Sequence, residues 1–235
     1  MTSGSPNSSF NLNLGRIPDT TNISVLIAYL GSLLQRSEDW HADRCGKVTA
    51  SRIKDVDAKP IKGKAHNALT LTILTERLTG VQEETKTNSL MQWGIDQEPY
   101  AIAAYENETG NFVIGTGLID HPAIKMSGAS PDGLVGKDGQ IEAKCPSSQT
   151  HLNTILTKEV PAEYVPQITW QLACTRRKWC DFVSYDPRLP EHLRLVVIRV
   201  NAEDLDIAGI EQSVIRFNQK IDQIIAELNP VEVAA

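Results

Sequence analysis

Ser130-Pro131-Asp132-Gly133-Leu134, followed ten residues after the aspartate by Glu142-Ala143-Lys144, is the stretch from which the rest of this chain can be read. Two carboxylates and a lysine at this spacing suit one kind of chemistry. Mg²⁺ is a hard cation that prefers oxygen ligands, and Asp132 and Glu142 each offer a carboxylate. A cation held there polarises a phosphoryl oxygen and lowers the pKa of a coordinated water. Lys144 adds a point charge beside the phosphorus, where negative charge develops. Mn²⁺ is the expected substitute metal.

The spacing also has a structural meaning. Gly133-Leu134-Val135 reads as a short strand, Lys137-Asp138-Gly139 as a turn, and Gln140 to Cys145 as the returning strand. Residues i and i+2 of a strand face the same side. Glu142 and Lys144 therefore point together, with Ile141, Ala143 and Cys145 directed into a core. The hairpin returns Asp132 to their side.

Bulk properties set the frame. With 235 residues and 41% hydrophobic content, the chain can build one sizeable α/β core. Its net charge of −6 excludes a basic nucleic-acid coat protein, although not a single basic groove on an acidic body. Cys45, Cys145, Cys174 and Cys180 form no C-x₂-C pair, which argues against a zinc knuckle. Sparse cysteines and the lack of a secretion-type leader point to reduced thiols in a cytoplasm. Residues 1–20 are expected to be a disordered lead-in, rich in Ser, Asn, Gly and Pro at the start, and residues 21–235 a single domain. The most apolar run, Ile23 to Leu34, is too short for a bilayer. No membrane partner is expected.

Periodicity predicts helices over 22–35, 64–78, 90–109, 163–176 and 202–228, the last stopped by Pro230. Strands are predicted over 112–119, 123–127, 179–185 and 193–200, besides the hairpin. The expected fold is α/β (α+β), a mixed central sheet flanked by helices. The five histidines show no ligand spacing and are read as structural.

Several blocks in one order carry a resemblance. Trp40-His41-x-x-Arg44-x-Gly46-x-x-Thr49-Ala50-Ser51, Trp93-Gly94-x-x-x-Glu98, the Asp132 and Glu142-Ala143-Lys144-Cys145-Pro146 core, Tyr164-x-x-Gln167-x-x-x-Gln171, and Tyr185-Asp186-Pro187-Arg188 span about two thirds of the chain. Together they resemble the λ-type phage alkaline exonucleases, a YqaJ-like family within the PD-(D/E)xK nuclease superfamily with its restriction-endonuclease-like core. The resemblance implies an Mg²⁺-dependent 5′→3′ exonuclease acting in the cytoplasm of a bacterial host. It would degrade one strand of linear double-stranded DNA and leave a 3′ overhang for a single-strand annealing protein. The family implies a homotrimer closed into a ring.

It also implies roles for single residues. Asp132, Glu142 and the Ala143 carbonyl would hold the metal, with Glu98 nearby. Lys144 and Gln167 would act in catalysis, Gln167 by holding the attacking water. Arg44, Ser51 and Ser130 would bind a terminal 5′-phosphate, since arginine makes charge-assisted contacts to phosphate and hydroxyls can donate to its other oxygens. Trp40 would lie at the DNA end. The family's second pocket arginine, shortly after the lysine, has no counterpart in Ser147-Ser148-Gln149-Thr150-His151. Arg176-Arg177-Lys178 suits either DNA phosphates or a helix C-terminus. Two other functions fit the acidic core: a sequence- or structure-specific endonuclease, and a DNA-end clamp that does not cut.

Overall fold

The computed structural model describes residues 22–35, 37–56, 63–83 and 87–228, so the expected disordered lead-in and the Pro230 stop lie outside the described residues. A five-stranded sheet has the order β2(Val113–Ile114), β5(Gly133–Val135), β6(Gly139–Lys144), β7(Trp179–Tyr185), β8(Leu195–Asn201). Only the central pair β6–β7 is parallel. A parallel neighbour requires a crossover, and α6(Ser148–Thr157) and α7(Val165–Thr175) supply it. A second, three-stranded sheet has the order β1(Val48–Thr49), β4(Ser127–Ala129), β3(Ile119–Asp120). The sheets are thus mixed and flanked by helices as expected, although there are two of them.

The central strands alternate their faces. From β6, Ile141 and Ala143 pack with Val135, Val183 and the α5(Ser89–Thr109) residues Ala101, Ile102 and Tyr105. From β7, Cys180 and Phe182 turn the other way, onto Ile168 and Leu172 of α7. The remaining core joins α7 to α3(Ile53–Val56), α4(Lys64–Thr79) and α8(Ile207–Leu228). At its centre Trp170 is fully buried, donates Nε1–H to the Gly128 carbonyl at 3.1 Å and stacks on His121. Truncating such a side chain to alanine costs about 3–5 kcal/mol.

Several predicted elements change extent. The 112–119 strand splits into β2 and β3, which join different sheets. The break is at Gly115, where a Cβ would sit 2.9 Å from the Gly31 Cα of α1(Ile23–Leu34). The 123–127 strand begins only at Ser127, after a bend in which Met126 takes a positive φ of 54°. The 193–200 strand starts at Leu195, because 191–193 forms a 3₁₀ turn. The last helix begins at Ile207, where the Asp206 side chain accepts from the Gly209 N–H at 2.9 Å. The sequence reading missed α2(Glu38–Arg44), β1, α3 and α6. Within the hairpin the positive φ falls on Gly136, not on the Asp-Gly glycine. Gly139 is required for a different reason: a Cβ there would lie 2.1 Å from the Trp179 ring.

The Tyr185-Asp186-Pro187-Arg188 block forms a corner behind β6. Asp186, fully buried, accepts from Arg188 Nε at 2.7 Å, Nη2 at 2.9 Å and the Arg188 backbone N–H at 3.0 Å. Arg188 Nη2 also donates to the Pro146 carbonyl at 3.1 Å, and the guanidinium lies 4.6 Å from the Trp93 ring centre. One buried carboxylate thereby ties the end of β7 to the segment leaving β6 and to α5. Burial alone would push the Asp186 carboxyl up, but hydrogen bonds from Arg188 and Ser148 hold it down at about 2. A depressed carboxylate stabilises the fold above its unfolded-state pKa, and that contribution is lost as pH falls through the folded value. Asp186→Asn is therefore expected to cost roughly 1–2 kcal/mol at neutral pH. The deficit should shrink as pH falls from about 4 towards 2, which denaturant titrations across that range would read. A deficit independent of pH would show that the corner is held by shape and not by charge.

Candidate active site

Asp132 leaves the edge of β5 and Glu142 lies on β6, so the antiparallel register that pairs Gly133 with Ile141 places the two acids side by side. The Ala143 N–H donates to Asp132 Oδ2 at 2.7 Å and fixes this aspartate against the strand. Glu142 is 1% exposed. Lys144 Nζ and Gln167 Nε2, the latter at 2.5 Å, donate to its Oε1, and Gln171 Nε2 donates to Oε2 at 2.5 Å. Gln167 thus grips the carboxylate directly. The Lys144 ammonium also sits 5.5 Å above the Tyr164 ring centre.

The electrostatics are strongly coupled. Burial pushes the Asp132 carboxyl well above the usual range, and the charges of Glu142 and Glu98 push it further. Lys144 and the Ala143 N–H oppose this only in part. Burial works to lower the Lys144 ammonium, but the Glu142 and Asp132 charges outweigh it and hold the group above its ordinary value. Glu98, on α5, therefore reaches the site through its field. Cys145 is pushed up chiefly by burial and then by Glu98 and Asp132, which makes it a protonated core thiol and not a nucleophile.

The donor set fits a hard divalent ion. Among the described residues no three His, Cys, Asp or Glu side chains converge into a cage. Mg²⁺ does not need one: it keeps several waters and is commonly held by one or two carboxylates. Asp132 and Glu142 would hold it, with the Ala143 carbonyl as a neutral oxygen. Burial first, and then the charges of Glu142 and Glu98, raise the proton affinity of Asp132, and a cation held between the acids would oppose all three.

The second sequence-derived cluster also forms. Arg44 Nη2 donates to Thr49 Oγ1 at 3.2 Å and Ser51 Oγ at 3.1 Å, and its guanidinium lies 4.1 Å from the Trp40 ring centre. Trp40 Nε1 donates to Ser130 Oγ at 3.0 Å. Arg44, Ser51, Trp40 and Ser130 are thus one connected group, and Ser130 is two residues from Asp132. Arg44 Nε is buried with no partner among the described residues. Burial, then the Arg52 charge, lowers the Arg44 guanidinium to about 10, with Glu76 opposing, so it remains a cation at neutral pH.

Other residues singled out in the sequence have internal partners. Arg176 pairs with Glu211 at 2.9 Å, Lys178 with Asp138 at 3.2 Å, and Arg177 donates to the carbonyls of Val135, Gly136 and Gly139. His151, fully buried, bonds Ser184 Oγ and the Leu193 carbonyl. In the 147–151 segment the Ser147 side chain caps α6.

A model of the YqaJ-like viral recombinase domain matches residues 39–178, which include both clusters. The chain belongs to this family. Solved structures agree: the alkaline exonuclease LHK-Exo from Laribacter hongkongensis is 46% identical, with a TM-score of 0.76 over 82% of this chain and 96% of that one. Its complex with dAMP matches at the same identity and coverage, with a TM-score of 0.77. A phage-related exonuclease from Haemophilus somnus 129PT shares the fold at 16% identity, with a TM-score of 0.57 over 78% of this chain and 96% of that one. No curated protein matches the chain. Membership makes the protein a nuclease that acts on DNA. Among the described residues no helix is long and apolar enough to cross a membrane.

The raised Asp132 carboxyl carries a stability cost. A carboxyl whose folded pKa is raised destabilises the fold once ionised, and the penalty disappears as pH falls through the folded pKa towards the unfolded one. Asp132→Asn keeps an oxygen for the Ala143 N–H and removes the charge. In metal-free buffer at neutral pH it is expected to melt above the wild type, with a gain that shrinks on acidification. A lower melting temperature at neutral pH would contradict the crowding of charge at this site.

Proposed function

We propose that the protein is an Mg²⁺-dependent 5′→3′ exonuclease that degrades one strand of linear duplex DNA and leaves a 3′ overhang. The observation that carries this reading is the pairing of two sites on one loop. Ser130 belongs to the arginine–hydroxyl cluster and Asp132 to the acidic cluster, so a cationic cluster adjoins an acidic one, which supports an anion site at a fixed offset from a hydrolytic centre. An enzyme that starts at an end needs such an offset, and one that cuts internally does not. The relative crystallised with dAMP adds support, since stepwise removal of nucleotides releases deoxynucleoside monophosphates.

Held by Asp132, Glu142 and the Ala143 carbonyl, Mg²⁺ (or Mn²⁺ in its place) would polarise the scissile phosphate and acidify a water. The protein's own groups do the rest. Lys144 meets the charge developing at phosphorus from its place beside Glu142. Gln167 shares Glu142 Oε1 with Lys144 and can orient a water through its amide. Glu98 adds negative potential that favours a cation. Arg44, with Ser51 and Ser130, anchors the terminal 5′-phosphate, and Trp40 offers a face at the DNA end. Among the described residues the Arg44 guanidinium bonds hydroxyls and meets the Trp40 ring, and its charge is available to a ligand.

The reading extends to assembly. A chain of net charge −6 has little long-range attraction for DNA, and a ring of three copies would hold a duplex by enclosure. The 3′ overhang would pass to a single-strand annealing protein in the cytoplasm of a bacterial host.

The test compares linear and closed circular duplexes, and 5′-phosphate with 5′-hydroxyl ends, in Mg²⁺. Linear DNA should disappear while circles persist; cutting of circles would mean an endonuclease, and no loss of either a clamp. Charge-assisted contacts contribute roughly 1.5–3 kcal/mol, so a phosphorylated end should be digested about ten- to a hundredfold faster than a hydroxyl end. Arg44→Ala should slow phosphorylated ends and remove most of that preference. Equal slowing of both ends would make Arg44 a general contact and place the phosphate pocket elsewhere.

A further inference from the structure

Behind Glu142 a line of polar groups runs through the protein. Gln171 Nε2 donates to Glu142 Oε2 at 2.5 Å, Gln140 Nε2 donates to Gln171 Oε1 at 3.5 Å, and Thr175 Oγ1 donates to Gln140 Oε1 at 2.7 Å. Gln140 and Gln171 are both 0% exposed, and Cys180, the register partner of Gln140, packs on Ile168 and Leu172 of the helix that carries Gln171. A carboxylate can only accept, so the order of donors along the line is fixed from its end. Each amide must present N–H towards Glu142 and its oxygen away from it.

Burying two amides is expensive unless they are bonded, and here every bond in the line leads to the buried carboxylate. The line terminates on one oxygen of one carboxylate, while the other oxygen belongs to Lys144 and Gln167. With Oε2 captured, rotation of the carboxylate is restrained and Oε1 keeps its place beside Lys144 and Gln167. We propose that Gln171, backed by Gln140 and Thr175, is a positioning residue that presents Glu142 to the metal. The inference rests on the proposed role of Glu142 as a metal ligand. Loss of an outer partner of a metal ligand typically costs 10–100-fold in metal affinity or activity.

The test titrates the full-length protein with Mn²⁺ and reads the paramagnetic signal of the free ion. Gln171→Leu should weaken Mn²⁺ binding about 10- to 100-fold. Thr175→Val, isosteric and at the far end of the line, should weaken it by a smaller factor. The double variant should bind no worse than Gln171→Leu, because the line is already cut. A purely structural role would lower the melting temperature without moving Mn²⁺ affinity. Gln171→Leu binding within twofold of wild type would overturn the proposal. If that variant does not fold, unchanged affinity in Thr175→Val would overturn it. Glu142→Gln separates the two readings: if it binds Mn²⁺ as wild type does, the metal centre itself is misassigned.

Discussion

A carboxylate as deeply buried as Glu142 is costly unless both of its oxygens are engaged, and here the donors come from its own strand and from one helix. Lys144 comes from its own strand two residues on, and Gln167 and Gln171 from α7. Those donors require α7 to lie across β6. Placing α7 there requires the chain to leave β6, cross over and return as a parallel β7, which is the one parallel pair of the larger sheet. The apolar packing of Ile168 and Leu172 on Cys180 and Phe182 then supplies the free energy that holds the helix in place. Chemistry and core thus make the same demand on the topology.

The cations divide by what they meet. Arg52, Arg188 and Arg199 each grip a carboxylate with two N–H groups, on Glu76, Asp186 and Asp181. Such forks join elements: Asp181 also accepts from Tyr105 Oη at 2.8 Å and so links β7, β8 and α5. Arg44 meets hydroxyls and the face of Trp40 instead. A guanidinium lowered by burial, beside another arginine, is less stable in the free protein than one in a fork. That cost is intelligible if an anionic ligand repays it on binding.

The hairpin was legible because its signals are local: an Asp-Gly turn, alternation along β6, and an acid-x-lysine pair. The edges of elements were less legible where distant atoms decide them. The split at Gly115 depends on how closely Gly31 of α1 approaches, which no window around residue 115 contains. In α6, Ser148-Gln149-Thr150-His151-Leu152-Asn153-Thr154 carries weak helix formers, and the helix exists because His151 and Thr154 are buried against the sheet. Asp132, Glu142 and Lys144 converge as their spacing suggested, while Gln167, which bonds Glu142, and the second group of Arg44, Ser51, Ser130 and Trp40 were marked only by the resemblance. The partners of Arg176, Arg177 and Lys178 were invisible, since charges alone do not say which carbonyl or carboxylate will lie opposite.

Gln140 and Thr175 escaped the reading for a more instructive reason. Gln167, Gln171 and Thr175 recur at every fourth position of a helix, and Gln140, Glu142 and Lys144 at every second position of a strand. Four helical residues advance about 6 Å and two strand residues about 6.6 Å. Two polar stripes with nearly equal repeats can therefore interlock residue by residue when the helix lies antiparallel on the strand. The contacts follow that order, with Gln167 on Glu142, Gln171 on Glu142 and Gln140, and Thr175 on Gln140. Neither stripe is unusual alone: glutamines at i and i+4 are ordinary on a solvated helix. They become informative only together, because a polar stripe on a buried helix face needs a matching stripe opposite it, and the strand that offers one to α7 is the strand that carries the acid and the lysine.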